Sequence, residues 1–201
     1  MSIGTAKSPK FLLVVLLPSG SPAIRYRPYL EPVVAGTALI DWAANRFAAL
    51  FPCTVCHGGL DALAHAAESA SASIVICCGV EAAFVPSSVL QEAVAQHLQT
   101  KAQWTTVTGL PKGIAINLYD ADLLLQLRDL RLPDKPDHPL AVIRRLSAEN
   151  LRRAAASEDP IYPAIRSASY RASLAVQPRV LSIQTDADVA TARRAINSCG
   201  S

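Results

Sequence analysis

The stretch Lys10-Phe11-Leu12-Leu13-Val14-Val15-Leu16-Leu17, closed by Pro18-Ser19-Gly20-Ser21, decides the fold class. Its apolar run is too short to cross a bilayer, which takes roughly 20 residues, and it has no polar alternation, so it reads as a strand buried on both faces. Such strands belong to parallel sheets covered by helices. Lys7 and Lys10 ahead of the run and Ser21-Pro22-Ala23 behind it make only a poor copy of a secretory signal, and the first-strand reading is kept.

Working outward, the same pattern returns at Ser73-Ile74-Val75-Ile76-Cys77-Cys78 before Gly79, and helices are expected between the strands. Thr37 is expected to start an amphipathic helix through Leu39, Ile40, Ala43, Phe47 and Leu50, stopped by Pro52. After a short extended piece, Leu60 to Ser71 forms an Ala-rich helix. Pro86-Ser87-Ser88-Val89 opens another through Gln99, with Ser87 or Ser88 as its cap. Trp104 to Val107 and Ile114 to Tyr119 have strand character around the turn Gly109-Leu110-Pro111-Lys112-Gly113. Ala121 to Leu130 is helical, residues 131–139 form a Pro- and Asp-rich loop, and Pro139 to Ala156 is a basic helix. Its Arg144-Arg145 and Arg152-Arg153 pairs read first as a solvated face. Val180 to Ile183 is a late strand, followed by a helix capped by Thr185 or Asp186.

This alternation predicts an α/β fold, a single-domain, doubly wound and mostly parallel sheet over residues 1–201. The 201 residues, 51% of them hydrophobic, suit one sizeable core. A net charge of +3 from 19 basic and 16 acidic residues, with aromatics scattered at 5%, leaves no footprint for nucleic acid. No segment reads as membrane-spanning. Five cysteines, an odd number, argue for reduced thiols and a cytoplasmic home.

Several strings point to chemistry. The loop Ser19-Gly20-Ser21, with Arg25 and Arg27 following, combines small residues bearing free backbone N–H groups with two cations, a pattern that suits phosphate. It lacks the glycine spacing of a phosphate-binding fingerprint, and ordinary turn chemistry explains its composition too. Lys112 in its Pro-Lys-Gly turn either contacts an anionic sugar or is a solvated turn residue. Cys53-Thr54-Val55-Cys56-His57 matches the haem-attachment string C-x-x-C-H, with His65, His97 or His138 as the remaining ligand choices. The same cysteines with Cys77 or Cys78 suggest zinc, although adjacent strand residues face opposite ways; buried structural thiols are the plainer reading.

The order of segments resembles the spore-coat polysaccharide cytidylyltransferase family, relatives of the CMP-sugar synthetases. The resemblance rests on five stretches in register: Gly36-Thr37-Ala38-Leu39-Ile40, His57-Gly58-Gly59-Leu60, Ile74 to Pro86, Pro111-Lys112-Gly113 with Ile116-Asn117-Leu118-Tyr119, and Val180 to Ile196. It implies a nucleotide-diphospho-sugar transferase-like fold and substrate binding at Lys112 and Asn117; the family's N-terminal Arg and Lys fall near Ile24 and Pro28, so nucleotide binding is expected from Arg25 and Arg27 in their stead, with the amides of Ser19, Gly20 and Ser21. It also implies Mg²⁺ held by two aspartates, whose positions match Val80 and Gln184 here, with Glu81, Asp186 and Asp188 nearby as substitutes. The segment between the first helix and residue 57 is shorter than in the family. Two readings follow: a degenerate member, a pseudoenzyme serving as a binding or partner subunit, or an active Mg²⁺-dependent transferase. The active form makes a CMP-sugar for polysaccharide biosynthesis from CTP and an acidic or phosphorylated sugar. The family also suggests a homodimer, with Tyr162, Tyr170, Pro160 and Pro163 as contact candidates.

Overall fold

The computed structural model describes residues 8–17, 32–34, 37–111 and 114–172, together with Ala190 and Arg194. The opening apolar run forms β1 (Phe11–Leu17), with Leu13, Val14 and Val15 wholly inaccessible to solvent. Then come β2 (Pro32–Val34), β3 (Thr37–Ala38), α1 (Leu39–Ala48), β4 (Cys53–His57), α2 (Leu60–Ala70) and β5 (Ile74–Cys78). A 3-10 turn (Val80–Phe84) leads to α3 (Ser87–Thr100), β6 (Trp104–Thr108), β7 (Ile116–Asp120), α4 (Ala121–Asp129), α5 (Pro139–Ala155) and β8 (Ser167–Arg171).

The main sheet has the order β4-β1-β5-β7-β6-β8. β1 pairs in parallel with both β4 and β5, and β6 pairs in parallel with β8. β7 is antiparallel to β5 and to β6, so it alone runs against its sheet. The α/β class and mostly parallel sheet expected from the sequence are therefore present. The reason is visible in β1 and β5: strands covered on both faces carry apolar side chains at every position, because each face meets its own layer. Leu13, Val15, Leu17, Ile76 and Cys78 pack with α1 and α3, while Leu12, Val14, Val75 and Cys77 pack with α2, α4 and α5.

Local signals explain most helices. In α1 the buried positions Leu39, Ile40, Ala43 and Phe47 recur at helical spacing and make one stripe toward the sheet. Trp42 on that helix stacks at 5.3 Å on Phe84, with the Arg46 guanidinium over its ring, so α1 clamps the turn after β5. Pro139 sits at the start of α5, where its missing N–H costs nothing.

Two expectations need correction, and one strand carries no expectation from the sequence. Thr37 does not start a helix: Thr37–Ala38 pairs with Pro32–Val34 as a small antiparallel ladder, and the helix begins at Leu39. Neither Ser87 nor Ser88 caps α3; both lie inside it, and Pro86 holds the cap position without a side-chain hydrogen bond. The short extended piece expected ahead of the Ala-rich helix is present, as the edge strand β4. Ser167–Arg171, given no element from the sequence, is the opposite edge strand. It escapes notice because an edge strand exposed on most of its surface has no apolar run, only the alternation of Ala168 and Tyr170. The late strand from Val180 and the helix after Thr185 lie outside the described residues.

Two buried polar features stand out. His97 on α3 is buried, its Nδ1 2.8 Å from Thr105 Oγ1 and its Nε2 3.1 Å from Asp120 Oδ1, tying α3 to β6 and to the end of β7. Tyr119 is also buried, yet its hydroxyl has no hydrogen-bond partner among the described residues, and burial holds its pKa well above the usual phenol range. A buried hydroxyl without a partner keeps its desolvation cost and gains nothing in return. Tyr119→Phe is therefore expected to raise stability by about 1 kcal/mol, read as a higher urea midpoint at unchanged slope.

Candidate functional site

Strand order decides where a ligand fits. From β1 the chain leaves toward β4 on one side, and from β5 it leaves toward β6 on the other, so the connections diverge above the carboxyl ends of β1 and β5. In open α/β sheets that divergence leaves a crevice. A cleft of about 290 Å³ lies there, lined by Leu16, Leu17, Cys77, Cys78, Gly79, Val80, Glu81, Ala115, Asn117 and His138.

Two sequence-derived candidates, Glu81 and Asn117, meet in this cleft. Glu81 is on the turn after β5, with its carboxylate folded over Gly79: a Cβ at residue 79 would stand 2.9 Å from Glu81 Oε2. Val80 beside it points into the core and is 1% exposed. Asn117 is buried on β7, level with Cys77, and its Oδ1 accepts a 3.4 Å hydrogen bond from the Trp104 indole. Ser19, Gly20, Ser21, Arg25 and Arg27 come after β1 in the sequence and lie outside the described residues, as do Lys112, Gln184, Asp186 and Asp188.

His138 is the cleft residue that the sequence reading did not assign to this site. It reaches the cleft because residues 131–138 fold back onto Gly59, where the Asp137 carbonyl accepts from Leu60 N–H at 2.5 Å. An added Cβ at Gly59 would lie 2.2 Å from that carbonyl and 2.4 Å from the Asp137 carboxyl, so only glycine leaves room. His138 also caps α5, its Nδ1 accepting the Leu140 N–H at 3.2 Å. An accepting Nδ1 is unprotonated, which places the proton of the neutral ring on Nε2. Burial lowers the pKa of His138; Asp137 opposes that shift and the charge of Arg144 adds to it.

The divalent cation implied by the resemblance needs hard oxygen ligands, commonly carboxylates together with substrate phosphates. Glu81 is the one carboxylate among the described residues lining the cleft, and no group of three or more His, Cys, Asp or Glu gathers among the described residues. The residues described do not by themselves fit a magnesium site. The cysteine string departs from haem attachment as well. Cys53 and Cys56 pack against opposite faces of the sheet, so their thiols cannot both reach one macrocycle. Cys77 and Cys78 likewise face opposite layers. Burial raises Cys53 to about 11 and Cys77 to about 12, with the neighbouring Cys56 adding to the latter, so both stay protonated thiols. His65 is exposed on α2. The basic face of α5 is largely engaged locally: Arg145 donates to the Asp134 carbonyl, Arg152 pairs with Glu149, and Arg153 donates to the Asp159 carbonyl. The tyrosines suggested for a subunit contact have partners in their own chain, Tyr162 with Gln126 and Tyr170 with Glu92. Among the described residues, no helix is long and apolar enough to cross a membrane.

No protein-family profile and no curated protein matches the sequence. Solved structures do match the fold. A cytidylyltransferase from Leptospira borgpetersenii is 16% identical, covers 94% of this chain and 86% of its own, and has a TM-score of 0.55. The CMP:2-keto-3-deoxy-manno-octonic acid synthetase complexed with CTP is 14% identical, covers 94% and 99%, and also scores 0.55. The 2-C-methyl-D-erythritol 4-phosphate cytidylyltransferase of Thermus thermophilus is 13% identical, covers 94% and 98%, and scores 0.50. The chain has the cytidylyltransferase fold. The likeness extends across several kinds of cytidylyltransferase and does not single out the spore-coat branch.

Gly59→Ala is expected to cost about 2 kcal/mol through overpacking and to shift the amide resonances of Asp137 and His138. Protonation of His138 gives a second test. Its folded pKa is depressed, so on acidification the unfolded chain takes up the proton first, and the associated stability is lost as pH falls below about 6.5. His138→Asn keeps a good helix cap without titrating. The urea midpoint of the wild type should fall further than that of the variant between pH 7.5 and pH 5.5.

Proposed function

We propose that this chain is a cytidylyltransferase-like nucleotide-binding protein, degenerate at its metal position, that works as a binding or partner subunit. The reading treats residues 1–201 as one nucleotidyltransferase-like domain with its ligand in the cleft above β1 and β5. The Ser19-Gly20-Ser21 loop with Arg25 and Arg27 follows directly on β1, and its amides and cations suit the phosphates. Lys112, which precedes β7 in the sequence, suits an anionic substituent of a second ligand.

The observation that carries the reading is the end of β5. In the resemblance to the spore-coat family, Val80 stands where a metal-binding aspartate is expected, and here Val80 is 1% exposed within the core. An apolar side chain in the core cluster with Leu17, Ala82 and Val85 has no oxygen to offer a cation. Nucleotidyl transfer places charge on the α-phosphate as pyrophosphate leaves, and a cation normally offsets that charge. Without it, binding persists while transfer slows. Glu81 in the cleft favours a second reading, an active Mg²⁺-dependent transferase with a shifted metal position that uses CTP and an acidic or phosphorylated sugar.

Calorimetry with CTP, UTP, ATP and GTP, each with and without Mg²⁺, separates the two. The first reading expects CTP to bind with an affinity that Mg²⁺ changes less than about threefold, a span of roughly 0.7 kcal/mol. Binding that requires Mg²⁺ and disappears in Glu81→Gln, with pyrophosphate released when an acidic sugar is added, would establish the transferase. Absence of binding by all four nucleotides eliminates both.

A further inference from the structure

Two side chains in the cleft have their hydrogen-bonding direction set by partners that offer no choice. A backbone N–H can only donate, so the 3.2 Å contact from Leu140 N–H commits His138 Nδ1 as an acceptor and leaves Nε2–H as the remaining donor of the neutral ring. An indole N–H can also only donate, so the 3.4 Å contact from Trp104 commits Asn117 Oδ1 and leaves the amide group Nδ2–H₂ to serve other partners. Both residues line the same cleft. One stands on the floor, on the buried strand β7; the other stands at the exposed rim, on the cap of α5.

The described lining of the cleft therefore includes two side chains whose acceptor atoms are committed, together with the carboxylate of Glu81. The charged groups felt at His138 are Asp137 on its own loop and Arg144 on α5. Arg144 is exposed and adds positive potential on the His138 side. The rest of the described lining is Leu16, Leu17, Cys77, Cys78, Gly79, Val80 and Ala115, which exclude water without competing for hydrogen bonds.

We propose that His138 and Asn117 form an orientation-locked donor pair that recognises acceptor oxygens of the bound nucleotide, with His138 as a ligand-contacting residue of the cleft. This inference rests on the nucleotide-binding reading above and adds to it the residue and atoms that select the ligand. It also gives a purpose to the fold of residues 131–138: Gly59 admits Asp137, which sets His138 at the rim.

Asn117→Asp is the sharpest test. The carboxylate still accepts from Trp104, but the atom turned toward the ligand changes from donor to acceptor. His138→Asn keeps the cap through its shorter amide and withdraws the Nε2 donor. Each variant is titrated with CTP and with cytidine in a calorimeter, with thermal melting recorded alongside. Each substitution is expected to weaken CTP binding about tenfold or more while the melting temperature stays near that of the wild type. Loss with CTP alone places the recognised oxygen on phosphate; equal loss with cytidine places it on the nucleoside, and either result supports the pair. Wild-type affinity in both variants overturns it while leaving the nucleotide-binding reading intact. Failure of the wild type to bind either ligand overturns that reading and this inference together. Should a variant not fold, ¹⁵N side-chain resonances of His138 Nε2 and Asn117 Nδ2 in the wild-type protein decide: they shift on addition of CTP if the pair contacts it, and unmoved signals overturn the proposal.

Discussion

Everything around the cleft depends on the position of β1. It is hydrogen-bonded on both sides, to β4 and to β5, and buried on both faces, so its carboxyl end is the one direction in which the chain can leave the core. The next strand in the sheet lies on one side of β1 and the one after it on the other. The connection leaving β1 goes toward β4 and the one leaving β5 goes toward β6, so neither fills the space between the two carboxyl ends, and the crevice is what remains. The Gly58 amide donates to the Leu17 carbonyl, fastening the exits of β4 and β1 together at that point.

Three separate devices then furnish the crevice. The turn after β5 is clamped from outside by Trp42 on Phe84, which sinks Val80 into the core and leaves Glu81 at the cleft wall. β7 reverses direction within the sheet, so its amino end, with Ala115 and Asn117, arrives beside the carboxyl end of β5. A parallel strand in the same place would present its last residues there. The loop before α5 bends onto Gly59, and the start of that helix comes to the rim with His138 as its cap. Each device is a packing contact between segments distant in the chain.

The polar network of His97, Thr105 and Asp120 lies where β7 ends, beside the amino end of β5 and away from the cleft, and so serves cohesion. Buried polar groups satisfied on both sides add specificity to a core, since any other packing of α3 on β6 would strand them. Tyr119, two residues beyond Asn117, shows the contrary case of a buried hydroxyl without a partner among the described residues.

The amino-acid sequence by itself determined the layers. Apolar runs without alternation in Phe11–Leu17 and Ile74–Cys78 require a sheet covered on both faces, and the helical spacing in Leu39–Ala48 supplies a cover; both are local consequences of side-chain periodicity. The sequence also marked Glu81 and Asn117 as site candidates, through family resemblance. Strand order, the reversal of β7 and the edge strand Ser167–Arg171 were decided only by tertiary structure, because pairing partners compete across the whole chain and a polar edge strand carries no apolar signal. The same holds for His138. In sequence it is one histidine in a proline-rich loop, and nothing local distinguishes it from His65 on an exposed helix face. Its place at the cleft comes from the absence of a side chain at Gly59, a vacancy that has meaning only once Asp137 has been folded against it.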